Sequence, residues 1–243
     1  MMQYQWHWNV FLQSAGDNAS YLDWLFSGLG VTVALGLASW VLALAWGSVL
    51  GVCRTLPNRW LRLGAATYVE LFRNVPLLVQ IFIWYFAMPE ILPFGDAIKA
   101  LNPMTQQFVI ATLCLGMFTA ARVCEQVRSG IDALPRGQKN AGLAMGFTLA
   151  QTYRFILLPM SFRTVLPPLT SEFLNIFKNS AVASTIGLLE LAAQGRQLVD
   201  YTAQPYEAFI AVTVAYMLIN LTVMGLMRWL EHKTSLPGLA GKR

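Results

Sequence analysis

From Trp24 to Cys53 the chain carries no charged residue, an uninterrupted run of 30. As a helix this run covers about 45 Å, more than the roughly 30 Å hydrocarbon core of a bilayer, so it must tilt or project beyond the lipid. Arg54, Arg59 and Arg62 follow at once and place that end inside. Residues 1–23 contain no Lys or Arg but do contain Asp17 and Asp23, and Trp6, Trp8 and Trp24 suit a membrane interface. A secretory leader needs a positive start, which is missing, so the N-terminal segment 1–23 is expected to be retained and external.

Composition carries the same argument to the whole chain. Apolar residues make up 56% and charged residues only 12%, about half of what a water-exposed fold carries. Mean hydropathy is +0.51. The net charge of +5 does not point to nucleic acid, because the bases cap apolar segments and form no stripe. Cys53, Cys114 and Cys124 have no paired spacing, and His7 and His232 stand at opposite ends of the chain. Neither a disulfide framework nor a metal site is expected.

Four further spans are expected at about 68–88, 103–127, 167–191 and 208–228, with the first at 24–53. The second holds Glu70, Arg73, Asn74 and Pro76 in its first turns and Gln80 deeper; such groups are costly in lipid and should face protein or water. Residues 89–105 contain Pro89, Pro93 and Pro103 with Lys99 as the lone base, which fits an external loop. The fourth segment carries Glu172, Lys178, Asn179 and Ser180, and its uncharged stretch, 179–189, is too short to span alone. Its neighbours must shield it. Glu190, Arg196, Asp200 and Glu207 surround an external turn at Pro205, and Arg228, Lys233, Lys242 and Arg243 hold the tail, 231–243, inside. The result is an all-α membrane protein of about five helices forming one permease domain over 24–230, N-terminus out and C-terminus in, with no repeat and no linker.

Between the third and fourth spans lies a basic stretch, 135–159. Pro135 suits a first helical position, and Ala141, Gly142, Ala144 and Gly146 let another backbone come close. Gly146 is a natural helix stop, Thr148 with Gln151 reads as a capping box, and Pro159 is placed to end the second helix. Arg136, Lys139 and Arg154, with Arg163 just beyond, put this two-helix loop on the cytoplasmic side. By composition alone it is either a socket for a partner or an amphipathic hairpin lying on lipid headgroups.

The chain has no phosphate-binding G-x-x-x-x-G-K-[ST] motif; Gly238 to Lys242 has the wrong spacing. No hydrolase signature is present either. A bundle of five helices without an inverted repeat is a poor complete transporter. These features point to a membrane subunit driven by a separate soluble ATPase.

The loop resembles the coupling ("EAA") loop of permease subunits of binding-protein-dependent ABC importers, which opens on Glu-Ala-Ala, has a glycine four residues later, and ends in Ile-x-Leu-Pro. Here Asn140, Ala141 and Gly142 stand at the start, Gly146 is the glycine, and Ile156, Leu158 and Pro159 form the end, with Gly137 and Gln138 just before. Two opening residues depart from the pattern, Asn140 replacing the glutamate. The likeness extends to the polar amino-acid (HisMQ-like) branch through ELFRNVPLLVQ, EQVRSGIDALPRGQ and LPMSFRTVLPPLTSEFLNIFKNSAVAS. The Trp-rich start, ARVCEQVR and FKNSAVAS are most similar to glutamate/aspartate import permeases.

The resemblance implies a type I (MetI-like) transmembrane domain in the inner membrane, with lipid around it. It also implies two copies of a cytoplasmic ABC ATPase, a second permease that is usually a different chain, and a periplasmic amino-acid-binding protein. No cofactor is implied. Glu70 and Arg73 are expected to pair along one helix. Arg122 and Glu125 either pair likewise or line the substrate pathway, where a guanidinium would select an acidic substrate through two parallel hydrogen bonds. Lys178, Asn179 and Ser180 are either pathway lining or interhelical glue. The rival functions are a permease for another polar amino acid such as glutamine, a non-transporting membrane subunit or channel that docks a cytoplasmic protein, and a stand-alone secondary transporter.

Overall fold

The uncharged run folds as one helix, α1 (Tyr21–Thr55), of 35 residues. It starts where Ser20 and Asp23 cap each other: the Ser20 N–H donates to Asp23 Oδ2 at 2.8 Å and the Asp23 N–H to Ser20 Oγ at 3.3 Å. In the computed structural model residues 4–16, 19–93 and 95–234 are described, Arg136 and Thr234 by their backbone only. Asp17, Lys242, Arg243 and the Gly238 to Lys242 stretch, and the side chain of Arg136, lie outside the described residues.

Two short antiparallel strands, β1 (Ser14–Gly16) and β2 (Ala19–Ser20), precede α1. Every other regular element among the described residues is helical. Next comes α2 (Arg59–Asn74), capped by Asn58 Oδ1, which accepts from the Trp60 and Leu61 N–H groups at 2.9 and 3.3 Å. The expected single helix over 68–88 is not formed. Val75 is extended (φ −100°, ψ 129°) because Pro76 disfavours the helical region for the residue before it, and α2 ends there. The chain resumes as α3 (Leu77–Phe82), a π turn (Ile83–Ala87), α4 (Met88–Ile91) and α5 (Gly95–Lys99). Then follow α6 (Pro103–Asp132), α7 (Arg136–Ala144), α8 (Leu149–Thr152), a π turn (Tyr153–Leu157) and α9 (Leu158–Asn179). A 3-10 stretch (Ser180–Ile186), α10 (Leu191–Thr202) and α11 (Pro205–Thr234) complete the order.

By length and apolarity α1, α6 and α11 can each cross a membrane, and α2 with α3 and α4, taken as one broken span, makes a fourth. The expected crossing over 167–191 is α9 and its 3-10 extension. Arg163, Glu172, Lys178, Pro167 and Pro168 all sit in α9, so it is no plain apolar span. It also stops earlier than expected, because Gly187 (φ +90°) turns the backbone left-handed. On α11 Phe209 and Met217 are exposed, as lipid-facing residues are.

The chain forms two compact units, each assembled from three separated stretches. The first comprises residues 1–39, 77–115 and 176–221. Its core gathers Leu35, Ile81, Ile110, Cys114, Leu115 and Leu188. Glu190, expected in an external turn, is instead wholly buried in it as the N-cap of α10. The reason is a full set of donors: the Ala192 and Ala193 N–H groups at 3.1 and 2.8 Å, the Tyr216 hydroxyl at 2.6 Å and the Thr32 hydroxyl at 3.4 Å. A carboxylate so surrounded has exchanged its water for fixed donors. Glu207 is similarly buried, accepting from the Tyr4 hydroxyl and, at 2.7 Å, from the His7 N–H.

The second unit comprises residues 40–76, 116–175 and 222–243. Gly47 and Gly51, four apart on α1, let it lie close on α6: a methyl group at Gly47 would stand 2.6 Å from the Ala120 carbonyl, and one at Gly51 2.7 Å from Val127. Beneath them Val123, Val127, Ile131, Tyr153, Leu157 and Val165 form the unit's core.

Candidate functional site

Two features of the second unit carry chemistry. The first is the basic loop. Pro135 stands one place before the first helical residue, as the N-cap of α7. The helix closes with both bonds of a Schellman motif: the Gly146 N–H donates to the Leu143 carbonyl at 3.0 Å and the Phe147 N–H to the Gly142 carbonyl at 3.2 Å. Gly146 has φ +85°, the conformation such a stop requires. The Thr148 and Gln151 capping box forms in both directions, at 2.8 and 3.2 Å.

Pro159 does not end the second helix. From α8 the chain continues through the π turn into α9, with Pro159 in its first turn. A proline costs little there, since the wider π turn before it absorbs the missing backbone donor. The short helix is therefore the start of a continuous helical path to Asn179. Gly142 is buried where α7 lies on this path: an added Cβ would be 2.8 Å from Ile156 Cδ1 and 2.9 Å from Thr152 Cγ2. Gly137, Asn140, Ala141, Gly146, Leu158 and Pro159 are exposed, Gln138 and Ile156 half-buried. Around them Leu143, Met145 and Phe155 also face outward.

The second feature is a charged cavity of about 350 Å³ lined by Arg73, Arg122, Glu125, Gln126 and Glu172. Three helices supply it. Arg122, Glu125 and Gln126 fall on one face of α6 by their three- and four-residue spacing, Arg73 comes from the last turn of α2, and Glu172 from α9. The guanidinium of Arg122 lies over the Phe118 ring, 4.8 Å from its centre, one turn back.

The expected pairings are rearranged. Glu70 accepts from Asn74 Nδ2 at 3.0 Å and forms no ion pair with Arg73 among the described residues. Helical spacing permits the pair, but Arg73 points into the cavity instead. Nor do Arg122 and Glu125 pair with each other. Glu125 is held by Arg54 and by Arg128 at 2.9 and 3.1 Å, and Arg128 also takes Asp132 at 2.8 Å. Arg122 faces Glu172 at 3.7 Å. Arg54, read in the sequence only as a topology signal, is a structural partner, and Glu172 is a cavity residue that sequence reasoning missed. Its signal was a carboxylate within a segment expected to cross the membrane.

Lys178, Asn179 and Ser180 do not line this cavity. Ser180 is buried and donates to the Phe177 carbonyl at 2.7 Å, Lys178 is exposed, and Asn179 ends α9.

A membrane helical fold with a small-residue loop of this build defines a class. The family model for the binding-protein-dependent transport system inner membrane component matches residues 43–236, and the chain belongs to that family. It is thus a permease subunit of an ABC importer in the inner membrane, of the type I (MetI-like) fold, and in such systems ATP hydrolysis falls to a separate subunit. The chain is similar to the glutamate/aspartate import permease protein GltJ of Escherichia coli O6:H1 (strain CFT073), 54% identical over 244 residues covering 99% of each. To the glutamate/aspartate import permease protein GltK of the same organism it is 26% identical, over 96% of this chain and 100% of that one. Among solved structures, the crystal structure of an amino acid ABC transporter with histidines matches with a TM-score of 0.73 at 27% identity, covering 88% of this chain and 95% of that one.

Proposed function

We propose that this permease passes glutamate and aspartate across the cytoplasmic membrane. The 54% identity with GltJ along the full length of both chains carries the reading. The guanidinium of Arg122 in a polar cavity supports it, since a bound dicarboxylate needs fixed cations.

The second permease of the assembly is a different chain. One organism holds both GltJ and GltK, and the chain is twice as similar to the first as to the second. Two ATPase copies grip the loops of the two permeases through residues 135–159, seating Gly137, Gln138, Asn140 and Ala141, and a periplasmic binding protein delivers the amino acid to the opposite face. The N-terminus is periplasmic and the C-terminus cytoplasmic, which keeps Arg54, Arg59, Arg62, Lys139 and Arg154 inside. Closure of the ATPases moves α7, and its close seat at Gly142 carries the movement into α9.

Membrane vesicles lacking this chain, supplied with ATP, the partner subunits and the binding protein, provide the test. Restoration of the chain is expected to restore ATP-dependent uptake of radiolabelled glutamate and aspartate. Restored uptake of glutamine, with neither acid carried, would overturn the substrate.

A further inference from the structure

The last turns of α11 carry a basic, aromatic surface. Leu218, Leu221, Gly225, Arg228, Trp229 and His232 recur at three- and four-residue spacing, so they share one face of the helix, and all six are exposed. The opposite face is packed. Val223 and Met227 are buried there, and Glu231, the one acid in residues 225–233, accepts from the Thr170 hydroxyl of α9 at 2.7 Å. Among the described residues neither Arg228 nor Lys233 forms an ion pair within 4 Å. Lys233 Nζ instead stands 4.1 Å from the centre of the Trp229 ring, which holds the ammonium beside the indole. The change of character along the exposed face fixes what surrounds it. Its leucines suit hydrocarbon; from Arg228 onward the face is basic, and at the boundary stands a tryptophan, a residue that favours headgroup level. Gly225 lies just on the apolar side, about 4.5 Å along the axis from Arg228. A Cβ there would meet no atom within 4 Å, so the missing side chain leaves a notch open to lipid.

We propose that this surface binds an anionic phospholipid of the leaflet at this end of α11, Arg228 and Lys233 holding its headgroup and one acyl chain crossing the notch at Gly225. The guanidinium can take two phosphate oxygens through parallel hydrogen bonds, and the ammonium adds a point charge. Charge complementarity selects the lipid. A zwitterionic headgroup brings an ammonium of its own, which meets both bases with like charge, whereas a net negative headgroup brings none. The site also has a mechanical connection: Glu231, in the same turn, is bonded to α9, the helix that continues from the basic loop. Lipid held here therefore steadies the end of α11 against α9.

The test is quenching of Trp229 fluorescence in the full assembly of both permeases and the ATPase. The assembly is reconstituted in phosphatidylcholine vesicles containing either brominated phosphatidylglycerol or brominated phosphatidylethanolamine. Subtracting the quenching seen in Trp229→Phe isolates this one indole. In the wild type, half-maximal quenching is expected at a mole fraction of phosphatidylglycerol roughly tenfold lower than that of phosphatidylethanolamine. Arg228→Gln and Lys233→Gln should each raise the phosphatidylglycerol fraction about fivefold and leave the other curve in place. Arg228→Lys keeps the charge and should keep most of the preference. Arg196→Gln, which removes one positive charge from an exposed position on α10, should move neither curve. Equal curves for the two lipids in the wild type, or an unchanged preference in both Gln variants, overturn the proposal. So does a Trp229 that neither lipid quenches, since a protein then covers this face.

Discussion

The Tyr153 hydroxyl donates to the backbone carbonyl of Thr55 at 3.0 Å, with Thr55 Oγ1 at the same distance. It fastens the π turn between α8 and α9 to the last residue of α1. Tyr153 is buried, so the bond is shielded from water. Tyr153→Phe keeps the packing and removes the bond, which is worth about 1 kcal/mol. The melting midpoint is expected to fall by about 2–4 °C. Uptake per ATP hydrolysed should fall too, because the loop loses one tether while both binding and hydrolysis remain possible.

Gly142 and Gly146 differ in why they are glycine, and their variants should differ accordingly. Gly142→Leu places side chain where Ile156 and Thr152 already stand at under 3 Å from a Cβ. It should separate α7 from α8 and abolish uptake while basal ATP hydrolysis persists. Ile156→Ala in the same chain clears part of the obstruction and should restore some uptake. Gly146→Ala meets no atom within 4 Å, only the strain of φ +85°; a loss of about 1–2 kcal/mol with coupling largely kept is expected. Paired measurements of uptake and ATP hydrolysis separate the two cases.

Glu190→Ala strands two side-chain hydroxyls, Thr32 and Tyr216, and removes the cap of α10. A cost of about 3 kcal/mol or more follows from unpaired buried donors. The variant should yield little detergent-stable protein. Glu190→Gln, retaining an acceptor oxygen, should lie between it and the wild type in melting temperature.

Outside the membrane helices, burial and the bond to Glu207 push the Tyr4 phenol up to about 12. The folded state therefore favours the neutral phenol. Its clasp on the N-terminal segment is fully present below about pH 10, the ordinary value for a tyrosine, and is lost as pH rises towards 12. Tryptophan fluorescence from Trp6, which packs against Tyr4 at 5.2 Å, should change over that interval in the wild type. In Tyr4→Phe the alkaline change should be absent and the high-pH spectrum present throughout.

What could be read in the sequence was what depends on near neighbours in it. The capping box at Thr148, the glycine stop at Gly146 and the apolar length of α1 are each set by a handful of consecutive residues, and all three are found. Family membership was legible for a related reason: the loop and the motifs around it are contiguous strings. The partners of the charges were not. Spacing made Glu70 with Arg73 and Arg122 with Glu125 possible pairs, but a helix offers each charge several neighbours and the choice is made by other helices. Asn74 took Glu70, Arg54 took Glu125 from 71 positions away, and Glu172 came to Arg122 from 50 positions away. Pro159 follows the same rule, because a proline ends a helix only where the preceding turn cannot widen to receive it. The sequence by itself determined a membrane-embedded helical chain with a loop of two capped helices, since apolar length and local hydrogen bonds leave no alternative. Tertiary structure alone decided which charges neutralise one another and which are left facing a cavity, because electrostatic pairing is a matter of distance in space and helices carry residues to distances that chain order does not record.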